Sequence, residues 1–124
     1  MLSRHTLSPN VHIIRPEVGL DRKHLKSCDL EFTLSELPII LIVDLRATRE
    51  IDSDGLAWLV NLQIVMAEQG KTLLLLKPSS EVKALLRRAG IEDLFWMAPS
   101  LKKIHEILLP IHPELFSTSI VLGH

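Results

Sequence analysis

The sequence predicts a single α/β domain, with a mixed sheet of four to five strands packed against about four helices. Three observations carry that prediction. Residues 39–45 and 72–76 are apolar almost without interruption, the pattern of strands covered on both faces rather than one. The segments after each run repeat apolar residues at helical spacing. Gly70, Gly90, Pro16, Pro38, Pro78 and Pro99 fall where these patterns end, as chain punctuation requires.

In chain order, residues 1–10 are polar and carry Pro9, and read as a flexible arm. Val11, His12, Ile13, Ile14 and Arg15 form a short β-branched segment stopped by Pro16. Gly19-Leu20-Asp21 reads as a turn into a helix that Asp21 caps, with Leu25, Cys28 and Phe32 on one face. The strand at 39–45 follows. Residues 55–69 read as a helix through Leu56, Leu59, Val60, Gln63 and Ile64, with Leu62, Val65 and Met66 widening its stripe. Gly70 ends it. Strand, helix and strand make a βαβ unit, whose right-handed crossover makes the two strands parallel. Ser79 or Ser80 then caps a helix through Val82, Leu85 and Leu86, and Gly90 stops it. Residues 91–97 form a connection that includes a short strand, with Phe95 and Trp96 read as core, the alternative being an exposed tryptophan that anchors a partner. Pro99 and Ser100 start a last helix with Leu101, Ile104, His105 and Leu108 on one face. The domain therefore spans 11–109. Residues 110–124 form a tail, frayed or packed locally.

Composition narrows the function classes. The 124 residues carry a formal net charge of −1 with no basic block, which argues against nucleic acid, whose phosphates need clustered Lys and Arg. The five Phe and Trp side chains are scattered and offer no stacking platform. Cys28 is the single cysteine, so neither an internal disulfide nor a cysteine metal cluster forms. No apolar run approaches the ~20 residues of a membrane span, and the first ten residues have no hydrophobic signal core. The expectation is a cytoplasmic protein with no direct membrane insertion. The six histidines show no metal-binding spacing. No nucleophile, base and orienting group can be assembled, so no enzyme, metal or cofactor is expected.

One stretch carries functional information. Asp44 closes a strand, and Asp52-Ser53-Asp54-Gly55-Leu56 opens a helix. Unpaired N–H groups and the positive end of the helix dipole favour negative charge there, by about 0.3–1 kcal/mol for a carboxylate. Ser53 is the simplest N-cap, with Asp52 competing for the role. Gly55 allows another backbone to approach. Arg87 and Arg88 complement the C-terminal dipole of their helix, and Lys102 and Lys103 read as a solvated face. Asp44 with Lys77 also suggests a phosphoacceptor pair, but no acidic pair follows the first strand to hold a divalent ion.

Residues 41–95 resemble the STAS family, the domain of anti-sigma factor antagonists and sulphate-transporter tails. The matching features are Asp44 at a strand end, Asp52-Ser53-x-Gly55-Leu56, Gly70 before the next strand, Pro78-Ser79, and Val82…Leu86…Gly90-Ile91…Leu94-Phe95. Against the family pattern, the first strand of the fold is missing or irregular. The resemblance implies partner switching: an antagonist binds a kinase-like anti-sigma factor until phosphorylation of a serine breaks the complex. That serine sits immediately before the glycine, where this chain has Asp54. Ser53 stands at a neighbouring, supporting position and is a weaker phosphorylation candidate.

Two readings of Asp54 remain open. It imitates the phosphorylated state, or it serves a partner adapted to a permanent carboxylate; the second gives an inactive-looking switch a use and is preferred. The expected docking face is Asp52, Ser53, Asp54, Gly55 and Leu56 with the loop from residue 48. Its expected partner is a protein, an anti-sigma factor of the serine-kinase-like type. The resemblance also allows an accessory subunit of a lipid-transport ABC ATPase or an anion transporter, a nucleotide or other small-ligand module, and a homodimer.

Overall fold

A computed structural model describes the backbone of residues 2–8, and residues 10–16, 38–48 and 50–111 in full. The expected helix from Asp21 and the tail beyond Ile111 lie outside these residues. Five strands form one sheet in the order β1 (Leu2–Ser8), β2 (Val11–Pro16), β3 (Ile40–Asp44), β4 (Thr72–Leu76) and β5 (Trp96–Ala98). Three α-helices are described: α1 (Ser53–Glu68), α2 (Ser80–Arg88) and α3 (Leu101–Leu108). A 3-10 turn at Glu92–Leu94 leads into β5.

Strands β2 to β5 are parallel, and β1 pairs antiparallel with β2. The parallel part is the βαβ arrangement that the sequence predicts. β1 corrects the reading of residues 1–10 as a loose arm; of the two alternatives for the first strand, missing or irregular, the strand is present and irregular. Leu2 pairs with Pro16 and Ser8 with Val11, with a register irregularity between Thr6 and Ser8. A polar segment can serve as a strand at a sheet edge, where one side of the backbone finds a partner and the other faces outward.

The sheet separates two cores. Leu41, Val43, Leu73 and Leu75 face α1 and α2, where Leu59, Met66, Val82 and Leu86 are buried. Ile40, Ile42, Leu74 and Leu76 face α3 and meet Ile104 and Leu108. This explains the continuous apolar runs, since alternate residues enter different cores. Ile64 lies outside the stripe and is exposed, while Met66 is fully buried. Trp96 corrects the expectation of a core aromatic: it is 46% exposed on β5, whereas Phe95 beside it is buried.

Helix ends follow local chemistry. Ser79 and Ser100 cap α2 and α3, accepting from the N–H groups of Val82 and Lys103 at 3.1 Å each. Gly70 has φ +68 and Gly90 φ +72, the left-handed conformation that glycine adopts without steric cost. There Lys71 N–H donates to Met66 C=O at 2.8 Å, and Ile91 N–H to Leu86 C=O at 3.0 Å, the six-to-one bond that closes a helix C-terminus. Arg87 and Arg88 occupy the last turn of α2, where cations complement the dipole.

Candidate functional site

All parallel strands end at one edge, and each described helix begins there. Leu45 N–H donates to Leu76 C=O at 2.8 Å, extending the β3–β4 pairing beyond Asp44. The chain then turns, with Thr48 N–H donating to Leu45 C=O at 3.1 Å. Leu45 and Ile51 enter the core, and Thr48 is 2% exposed. Three buried anchors within seven residues hold this loop against the sheet. Glu50, Asp52, Ser53 and Asp54 are left facing outward.

Asp52 is the N-cap of α1: its Oδ1 accepts from Gly55 N–H at 2.9 Å, and Leu56 N–H donates to its C=O at 2.9 Å. Ser53 is therefore the first helical residue, not the cap. The reason is reach. A capping oxygen must sit on a residue with extended backbone, and Asp52 has φ −107 and ψ −172. Asp54, in the first turn, is exposed and makes no ion pair among the described residues. Gly55 is buried, and Leu56 is half-buried against the α1-side core. Of the five residues expected to dock a partner, three thus present side chains to solvent. Glu50, Asp52 and Asp54 give the start of α1 an acidic surface.

A second cluster occupies the same edge on the α3 side of the sheet. Asp44 is 1% exposed, and both its oxygens accept hydrogen bonds from arginine. Arg15 Nε donates to Oδ2 at 2.9 Å. Arg46 donates through Nε and Nη2, the latter to Oδ2 at 2.8 Å, and through its backbone N–H to Oδ1 at 3.1 Å. Burial pushes the Asp44 carboxyl up; the Arg46 side chain and N–H, Arg15 and the Arg46 charge together overcome it and hold it below the usual carboxylate value. Asp44 is a buried anchor held by two cations, a structural role that accounts for its place at the strand end without phosphorylation. Sequence reasoning did not find Arg15 or Arg46. Arg15 is 29 positions away, and only the parallel register of β2 on β3 brings it alongside.

Among the described residues no group of three or more His, Cys, Asp or Glu is placed to hold a metal ion, and no helix is long and apolar enough to cross a membrane.

Comparison with known proteins identifies this architecture. The family model described as STAS domain matches residues 10–104. A Thermotoga maritima protein described as a candidate anti-sigma factor antagonist superposes with a TM-score of 0.73 at 18% identity, covering 82% of this chain and 90% of its own. The anti-sigma factor antagonist SpoIIAA in its unphosphorylated form gives 0.70 at 14% identity, covering 86% of this chain and 96% of its own. The phosphorylated form of the Bacillus cell fate determinant SpoIIAA gives 0.65 at 14% identity, over 86% and 99%. Comparison with curated protein sequences finds no match.

Two outcomes check this description. Asp52→Ala should lower stability by about 1 kcal/mol, the usual cost of losing a cap, while Ser53→Ala changes it by well under half of that; urea denaturation of both variants measures the difference. The Asp44 anchor predicts an acid-side loss. The unfolded chain takes up a proton near pH ~3.9, and the folded carboxylate resists until lower pH. The stabilisation is therefore present above about pH 4 and lost as pH falls toward the folded value. Asp44→Asn should be less stable than the parent at neutral pH, and that gap should shrink below pH ~4 in a thermal-melt series.

Proposed function

The chain belongs to the STAS domain family, and from that premise we propose that it is a regulatory protein-interaction module of the anti-sigma factor antagonist kind. It acts by binding, not by catalysis, in the cytoplasm. The observation that carries this reading is Asp54: an exposed carboxylate in the first turn of α1, immediately before Gly55, on a loop anchored by Leu45, Thr48 and Ile51.

In family members switched by phosphorylation, the residue before that glycine is a serine. SpoIIAA, a neighbour in fold, exists in phosphorylated and unphosphorylated forms. A phosphoserine carries about −1.5 to −2 charge at neutral pH, whereas aspartate carries a single negative charge on a shorter side chain. Aspartate cannot be added and removed by a kinase and phosphatase. We infer that contact at this position is permanent: a partner supplies basic groups complementary to Asp54, with Asp52 and Glu50 adding to the field. Any phosphorylation control passes to Ser53, whose side chain is exposed and released from capping. The partner that fits is a protein of the kinase-like anti-sigma type with a basic docking surface.

The test is capture of partners by the full chain from native lysate, comparing the parent with Asp54→Ala and Asp54→Ser. Capture of a specific protein should fall several-fold with Asp54→Ala and weaken as ionic strength rises, since exposed charges are screened over ~10 Å at 0.1 M salt. Equal capture by all three proteins would remove Asp54 from the interface.

A further inference from the structure

We propose that the cleft between the carboxyl ends of β2, β3 and β4 and the start of α3 is a binding site for a small phosphate-bearing anion. The cleft has a volume of about 230 Å³ and is lined by Arg15, Asp44, Arg46, Lys77, Ser100 and Lys102 among others. It lies on the opposite side of the sheet from α1 and shares no lining residue with the Asp52–Leu56 face.

The charge of the cleft favours an anion. Four cationic side chains surround one carboxylate, in a chain whose 14 basic residues are outnumbered by 15 acidic ones. The carboxylate is already committed: Asp44 accepts from both arginines and is buried beneath them. It fixes their guanidinium groups while using Nε of Arg15 and Nε and Nη2 of Arg46. The remaining N–H groups have capacity for a second acceptor. Arg15 and Arg46 are 31% and 46% exposed, so that acceptor can arrive from solvent. Lys77 and Lys102 make no ion pair among the described residues. Paired guanidinium groups held in place with two ammonium groups suit an oxyanion carrying two charges, since such bonds are charge-assisted and directional.

Lys77 has φ +51 and is the only non-glycine residue with positive φ among those described. A lysine there is strained where glycine is not. Strain of this kind persists only where the surrounding structure holds it, and it clusters at ligand sites. Lys77 N–H donates to Ala98 C=O at 2.8 Å, which locks the residue at the mouth of the cleft.

Ligands of parallel α/β sheets bind outside the carboxyl ends of the strands. The volume falls below the ~300–1,000 Å³ of sites for drug-sized ligands, so the site fits a phosphate group rather than a whole nucleotide. Free phosphate and a small phosphomonoester share the chemistry that the cleft reads.

Amide chemical-shift titrations of the full chain with inorganic phosphate and with glycerol 3-phosphate, each against potassium chloride at equal ionic strength, test this. Saturable shifts at Arg15, Arg46, Lys77 and Lys102 with at least one of the two are expected. Tighter binding of glycerol 3-phosphate assigns the site to an organic phosphomonoester, and tighter binding of phosphate to the free ion. Lys102→Gln should weaken the affinity roughly tenfold, the effect of one charge-assisted contact. Lys77→Gly should weaken it similarly while raising the melting temperature, because charge and strain leave together. Absence of saturable shifts, their reproduction by potassium chloride, or parental affinity in both variants would overturn the proposal.

Discussion

The parallel pairing of β2, β3, β4 and β5 is the constraint on which the rest of the molecule depends. β3 is the centre of that arrangement, with all five of its residues buried. Neighbouring parallel strands force each connecting helix to return the chain to the far end of the sheet, so each such helix starts at the carboxyl edge. Ser53, Ser80 and Leu101 begin their helices there, and Arg15, Asp44 and Lys77 lie at or beside the strand ends. Among the described residues, the start of α1 and the Arg15–Asp44–Arg46 cluster both lie at that edge because the parallel strands end there.

The sheet divides this edge into two electrostatic territories. On the α1 side, Glu50, Asp52 and Asp54 are exposed. On the α3 side, Arg15, Arg46, Lys77 and Lys102 surround one buried carboxylate. A net charge of −1 conceals this separation. The field near each territory, not the net charge, governs what approaches it. Asp44 lies at the centre of the second territory. Removed from water and bound by two arginines, it contributes no exposed negative charge and orients cations that would otherwise be mobile.

Much of this was legible in the sequence wherever a local pattern has one physical cause. Unbroken apolar runs specified β3 and β4, because alternate residues must enter two cores. Serines ahead of apolar periodicity marked the starts of α2 and α3, and Gly70 and Gly90 marked helix ends, because few residues tolerate those conformations. The Asp52–Asp54 group was legible as a charged helix start, although the choice of Asp52 over Ser53 as cap depends on a backbone turn that composition does not encode. β1 was illegible because an edge strand lacks the apolar run of an inner one. The Arg15–Asp44–Arg46 cluster was illegible because it is a property of strand register. Lys77 gave no signal, since lysine carries no local mark of a left-handed conformation, and Trp96 misled because aromatic character alone does not decide burial.

The central claim is that the carboxyl edge beside α1, with its fixed negative charge, is the surface another polypeptide meets. Site-specific photo-crosslinking in native lysate measures that directly. Probes at the exposed residues Glu50 and Ala57 flank Asp54 without replacing it, and a probe at exposed Gln69 marks the opposite end of the same helix. The account predicts that Glu50 and Ala57 crosslink the same protein and that Gln69 does not. Crosslinking of a specific partner from Gln69, with none from Glu50 or Ala57, would contradict it.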